Sequence, residues 1–120
     1  MSHPSRDTTS GEINTLLGRG TEFRGKLVFD GKVRIDGRFE GEIHSDDTLV
    51  VGESAEVAAD VRVAVLIVRG GTVRGEIRAT DSVEVYAPGK IYGNITSPQV
   101  FIDKGVTFEG QCRMTEVADE

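Results

Sequence analysis

The chain is short of the residues that most functional classes need. Its 120 residues include one cysteine, two histidines, no tryptophan, two tyrosines and five phenylalanines. A lone Cys112 excludes an internal disulfide framework and points to a reducing compartment. The longest unbroken apolar run, Val63 to Val68, has six residues, far below the roughly 20 that a membrane-spanning helix requires. The opening Ser2-His3-Pro4-Ser5-Arg6-Asp7 is polar and unlike a secretory leader, so a cytoplasmic protein is expected. A formal charge of −6, with no lysine cluster, argues against direct nucleic-acid binding through a basic surface. His3 and His44 stand far apart, which leaves no zinc ligand set and no Ser-His-Asp or Cys-His constellation. Neither catalysis nor a metal or cofactor is expected. Gly18-Arg19-Gly20 and Gly70-Gly71 read as turn glycines, because neither joins a strand to a helix as a phosphate-binding loop does. The threonines are scattered, unlike the flat ladders of an ice- or sugar-binding solenoid.

What the chain does have is repetition. One five-residue phrase, apolar, any, tiny, any, apolar, occurs six times: Phe23 to Leu27, Phe39 to Ile43, Val57 to Val61, Val73 to Ile77, Ile91 to Ile95 and Phe108 to Cys112. The central small residues, Gly25, Gly41, Ala59, Gly75, Gly93 and Gly110, are 16, 18, 16, 18 and 17 residues apart. A second set of alternating apolar pairs lies between them: Val33 and Ile35, Leu49 and Val51, Val65 and Ile67, Val83 and Val85, Val100 and Ile102. Alternation with period 2 and β-branched residues marks strands with one buried side. Turn residues separate the segments at Asp30-Gly31, Asp36-Gly37, Gly52-Glu53, Gly70-Gly71, Ala87-Pro88-Gly89 and Asp103-Lys104-Gly105. A unit this short cannot bury its own apolar face and is stabilised only by the next copy stacked upon it.

The expected fold is therefore all-β, a single right-handed parallel β-helix of about six rungs with three short strands per turn. At about 4.8 Å per rung it is a stub about 25 to 30 Å long. Its bounds are a tail over 1–20, the β-helix over 21–114 and a second tail over 115–120. The small anchor residues either adopt positive φ or admit a close backbone contact, and Ala59 suits only the second. Cys112 takes the core slot that Val61, Ile77 and Ile95 fill on earlier rungs. The ends of such a coil expose unpaired backbone groups and a slice of apolar core. Ile13, Leu16 and Leu17 are the apolar residues upstream, and covering the first rung is favoured over a weak apolar foot on a membrane. Direct membrane binding is not expected.

The run Leu17-Gly18-Arg19-Gly20-Thr21-Glu22-Phe23-Arg24-Gly25, the phrase Arg34-Ile35-Asp36-Gly37-Arg38-Phe39-Glu40-Gly41 and the closing Phe108-Glu109-Gly110-Gln111-Cys112-Arg113-Met114 resemble a bactofilin over residues 13–114. That resemblance implies a bacterial cytoskeletal scaffold that polymerises end to end without nucleotide into non-polar filaments. It implies a homopolymer or a co-polymer with related bactofilins, carrying client proteins in cell shape, polar organisation or chromosome segregation. Any polar or membrane-adjacent location would then come through partners. It also implies an aromatic contact on the C-terminal face, for which Phe108 is favoured and Phe101 is next, with Cys112 and Met114 beside them. Leu16, Leu17, Phe23 and Leu27 are the matching residues of the N-terminal face. A non-polymerising solenoid binding module, or a hexapeptide-type acyltransferase-like trimer, is the alternative.

Two surface features complete the sequence reading. The residues following each anchor form a column, Lys26, Glu42, Asp60, Glu76, Asn94 and Gln111, in which Glu42, Asp60 and Glu76 are a candidate client-binding stripe. Stacked like charges are mildly unfavourable, and His44, Arg62 and Arg78 are placed to offset them laterally. Val50, Leu66 and Phe101, interrupted by Glu84, form a second candidate patch on the outward side.

Overall fold

The computed structural model describes the backbone of residues 13–116 and the side chains of residues 18–116. Within it, eleven strands join one sheet through parallel pairings. They are β1 (Ile13–Leu17), β2 (Glu22–Phe29), β3 (Lys32–Ile35), β4 (Arg38–Ser45), β5 (Thr48–Val51), β6 (Glu56–Arg69), β7 (Thr72–Tyr86), β8 (Lys90–Thr96), β9 (Val100–Ile102), β10 (Thr107–Glu109) and β11 (Cys112–Arg113). No helix occurs among the described residues. One ladder runs β2, β4, the first half of β6, the first half of β7, β8, then β10 and β11. The other runs β1, β3, β5, the second half of β6, the second half of β7 and β9. Both climb together, which is the expected parallel β-solenoid. Six anchor phrases delimit five turns.

Each glycine anchor bends the first ladder, so that two strand groups make three sides. Gly25, Gly41, Gly75, Gly93 and Gly110 have φ of +135°, +133°, +131°, +147° and +143°. A Cβ on Gly41 would collide with the carbonyl oxygen of Gly25, on Gly75 with that of Ala59, on Gly93 with that of Gly75, and on Gly110 with that of Gly93. Positive φ and close stacking thus operate at the same positions. Ala59 occupies the same column opposite Gly41 and is buried.

The core consists of continuous columns. Phe23, Phe39, Val57, Val73, Ile91 and Phe108 form one, and Leu27, Ile43, Val61, Ile77, Ile95 and Cys112 form another. On the third side, Val33, Leu49, Leu66, Val83 and Val100 run beside Ile35, Val51, Val68, Val85 and Ile102. Every interior member of these columns is at most 2% exposed. Backbone hydrogen bonds continue the ladder round the corner, from the N–H groups of Arg38, Glu56, Thr72, Lys90 and Thr107 to carbonyls of the previous turn at 2.9 to 3.0 Å.

Three details differ from the sequence reading. Leu66 and Val68 are the inward residues of their turn, not Val65 and Ile67, and Leu66 is fully buried rather than part of an outward patch. The cause is a register shift between Val63 and Val65, where the N–H groups of Ala64 and Val65 both reach the Asp47 carbonyl, at 3.0 and 3.3 Å. The inward side chains Val63 and Leu66 are three residues apart, which inverts the alternation after the corner, and the extra residue of the register shift lies in β7, where Ala79 to Ser82 stands opposite Val63 to Val65. The true outward column is Arg34, Val50, Ile67, Glu84 and Phe101, and Val50 within it is buried. Second, β1 lies inside residues 1–20 and pairs with β3, so the ladder reaches back to Ile13. Third, Cys112 sits in its expected column opposite Ile95 but is exposed, β11 being the last strand among the described residues. His3 and the ends of both expected tails lie outside the described residues.

Gly93→Ala is expected to cost about 1–3 kcal/mol for the positive φ alone, with a further loss from the collision with the Gly75 carbonyl. Gly25→Ala, whose Cβ would approach only the Phe23 ring at 3.8 Å, is expected to show the φ cost without the collision. Urea unfolding of the two variants checks the order.

Candidate functional site: the two open ends

Burial falls off at both ends of the first ladder's columns and at the last end of the third side, whereas Val33 and Ile35 at its first end are fully buried beneath β1. Along the anchor column Phe39 to Ile91 are enclosed, whereas Phe23 at the start is 37% exposed and Phe108 at the finish is half-buried against the core. On the third side Ile102 is 38% exposed although Val85, one turn earlier, is fully enclosed. These residues are inward by alternation and open only because the stack stops. The physical consequence is an unspent capacity to bury apolar surface, about 25 cal/mol for each Å² covered.

At the first end, β2 is the edge of its ladder and, among the described residues, pairs with β4 alone. The Phe23 ring stacks on Phe39, centroid to centroid 5.1 Å with planes 9° apart, and presents its other face outward. Leu27 and Phe29 are half-buried against the core, and Val28 is exposed. Leu16 and Leu17 register with Arg34 and Ile35, which places the β1 backbone over the third side; their side chains lie outside the described residues. Of the four N-terminal residues expected from the sequence, the side chains of Phe23 and Leu27 are described, each the first member of its column.

At the last end, Phe108 and Cys112 stand on adjacent columns of the final turn, with Val100, Ile102 and Val106 completing the slice. Partial burial pushes the Cys112 thiol up, so it is protonated at neutral pH. Met114 is exposed just beyond β11. Phe101 does not belong to this slice. It faces outward from the third side, with its ring 5.5 Å from that of Tyr86, which in turn lies under the Arg69 guanidinium at 5.2 Å. The Tyr86 hydroxyl donates to Glu84 Oε1 at 2.7 Å, and that bond pushes the phenol up from its ordinary range. Val100, Ile102 and Val106 were not among the residues expected on this end from the sequence. For Ile102 the signal was present, since it follows Val85 by one 17-residue turn.

The third group of expected residues lies on a side. Glu42 and Asp60 are register partners, and Glu76 lines the same surface groove with His44, Arg62 and Arg78. His44 Nε2 is 3.5 Å from Glu42 Oε1, and Asn94 Nδ2 donates to Glu76 Oε1 at 3.4 Å.

The fold and its ends define a class, a short parallel β-solenoid whose first and last turns leave apolar side chains partly exposed. The family model described as "Bactofilin: Polymer-forming cytoskeletal" matches residues 15–113. The chain belongs to the bactofilin family. It is similar to bactofilin BacP of Myxococcus xanthus, 39% identical over 104 residues, which cover 87% of this chain and 43% of that protein. It is also similar to bactofilin BacO of the same organism, 30% identical over 111 residues, covering 92% of this chain and 87% of that protein. The chain therefore spans less than half the length of BacP. No solved structure matches significantly.

Large-to-small changes should register the difference between the covered and open parts of one core. Ile77→Ala is expected to cost about 2–5 kcal/mol, and Ile102→Ala under about half of that because its site is already partly solvated. Urea unfolding of dilute, unassembled protein measures both.

Proposed function

We propose that this chain is a cytoplasmic cytoskeletal scaffold that assembles end to end, without nucleotide, through the apolar slices at its two ends. The observation that carries this reading is the burial gradient, in which residues enclosed in mid-stack become exposed only where stacking stops. Apolar burial is non-directional and needs no bound nucleotide to drive it, while matching backbone edges give the junction its alignment. Two open ends on each copy make the assembly a filament rather than a closed ring. We take the junctions to join like end to like end, as the resemblance to the family implies, and we take the clients to be proteins held along the sides. The role is structural rather than enzymatic.

Phe108 is the proposed centre of the C-terminal contact. Its ring packs against the core from one side only, so a charged replacement removes an apolar contact without emptying the interior. Phe108→Arg is expected to retain the strand signal in circular dichroism and to abolish filaments in negative-stain electron microscopy. Phe101→Arg, on a side, is expected to leave filaments in place. Loss of folded signal in Phe108→Arg would instead make Phe108 a plug of its own core and contradict the reading.

A further inference from the structure

The first ladder finishes in β11, a strand of two residues, Cys112 and Arg113. Register places Arg113 beside Thr96 of β8, and Arg78 of β7 beside Thr96 on the opposite side. Each of the three follows a core-column residue, Ile77, Ile95 or Cys112, and so points outward, with neighbours about 4.8 Å apart from rung to rung. Among the serines and threonines of the described strands, Thr96 alone has an arginine as register partner on both sides. Thr72, by contrast, lies between Glu56 and Lys90. Among the described residues neither Arg78 nor Arg113 is held in an ion pair. Asn94 and Pro98, on either side of Thr96 along its own segment, are neutral, and so is Gln111 beside Arg113. Glu76 stands one rung and two residues away, about 8 Å, and accepts a hydrogen bond from Asn94 Nδ2 at 3.4 Å. The Thr96 hydroxyl thus sits in a gap of positive potential between two guanidinium groups.

We infer that Thr96 is a phosphorylation site whose phosphate is clamped between Arg78 and Arg113. The donor is a nucleoside triphosphate bound to a serine/threonine kinase. Thr96 Oγ1 attacks the γ-phosphorus, the new O–P bond forms as the bond to the nucleoside diphosphate breaks, and the hydroxyl proton passes to the kinase's base. The product carries a charge of about −1.5 to −2 and three acceptor oxygens. A guanidinium donates two parallel N–H bonds to such a group, so one arginine on each side matches it in charge and in geometry. Thr96 is half-buried beside the short β11, and a terminal strand of two residues opens at little cost. Opening leaves β8 as an edge strand, a form in which extended segments are bound by other proteins.

The phosphate acts on the last turn. That turn is tied to β8 by the Ile95 N–H to the Gln111 carbonyl at 2.8 Å, the Ser97 N–H to the Arg113 carbonyl at 3.1 Å and the Gln111 N–H to Asn94 Oδ1 at 3.1 Å. A phosphate on Thr96 that grips Arg113 above and Arg78 below adds a charge-assisted tie across three rungs. The same turn carries Cys112 at the last end of its column. Phosphorylation therefore fixes the shape of the C-terminal slice before another copy meets it, and a surface already ordered loses less freedom on association. This consequence for assembly rests on the end-to-end reading above, whereas the clamp itself does not.

The test uses dilute, unassembled chain with phosphothreonine placed genetically at position 96, beside the unmodified chain. In a phosphorus NMR titration the second ionisation of the phosphate, ordinarily near pH 6, is expected about one pH unit lower because of the two arginines, and Arg78→Gln with Arg113→Gln is expected to return it to the ordinary value. Both arginines are on the surface, and circular dichroism confirms the fold. Amide hydrogen exchange at Ile95 and Ser97 is expected to slow about tenfold on phosphorylation. Arg113→Gln is expected to remove that slowing and to leave exchange in the unmodified chain unchanged. An ordinary phosphate titration, or exchange rates indifferent to the phosphate, would overturn the clamp. Phosphopeptide mapping of the chain purified from its own cells is expected to find phosphate on Thr96, and an unmodified Thr96 would overturn the assignment. In electron micrographs the phosphorylated chain is expected to form filaments at a severalfold lower concentration than the unmodified one. An unchanged threshold would overturn the effect on assembly, and a chain that forms no filaments in either state would contradict the end-to-end reading while the titration still judges the clamp.

Discussion

Everything in this molecule depends on one constraint: no rung can bury its own apolar side. A turn of 16 to 18 residues supplies at least four inward side chains and encloses them only when another turn lies above and below. The glycine column makes that stacking close enough to work. At Gly41, Gly75, Gly93 and Gly110 the backbone of one turn rests against a carbonyl of the turn before, where no side chain fits. Stability and incompleteness have the same origin, since the contact that holds the interior together is lacking over Phe23 at the first end and over Phe108, Ile102 and Cys112 at the last.

The ends and sides therefore offer different chemistry. The ends present apolar surface and backbone edges, which favour continuing the stack and depend little on salt. The sides present outward columns whose members come from successive turns, so that any pattern in the repeat becomes a stripe. Arg38 lies between Glu22 at 3.7 Å and Glu56 at 3.2 Å, and Arg24 pairs with Glu40 at 3.3 Å. Alternating charges along such a column are satisfied within the chain. Like charges stacked along Glu42, Asp60 and Glu76 are the exception, and they require a basic neighbour or a partner.

Much of this was legible in the residues. The spacing of the six small anchors located the first ladder, and its columns appear in the structure residue for residue. The end slices followed from the same columns, which is why Phe23, Leu27, Phe108 and Cys112 were identifiable as core-like positions at a boundary. Two kinds of information were hidden. The corner at Ala64 has no glycine, proline or turn-forming polar residue, so the run Val63-Ala64-Val65-Leu66-Ile67-Val68 gave no sign of where the alternation slips. Both phases were apolar, and only the shared Asp47 carbonyl decides between them. The placement of Phe101 was hidden in another way. Its outward direction was readable, but its contact with Tyr86, and hence its separation from the end slice, depends on a neighbouring turn.

The central claim is that the strand ladder continues from one copy to the next along the filament axis. Fibre diffraction from oriented filaments tests this most directly, because stacked strands repeat at about 4.7–4.8 Å. End-to-end stacking predicts that this reflection lies on the meridian, parallel to the filament. The same reflection on the equator would mean that the solenoids lie across the filament and meet through their sides, and would contradict the account.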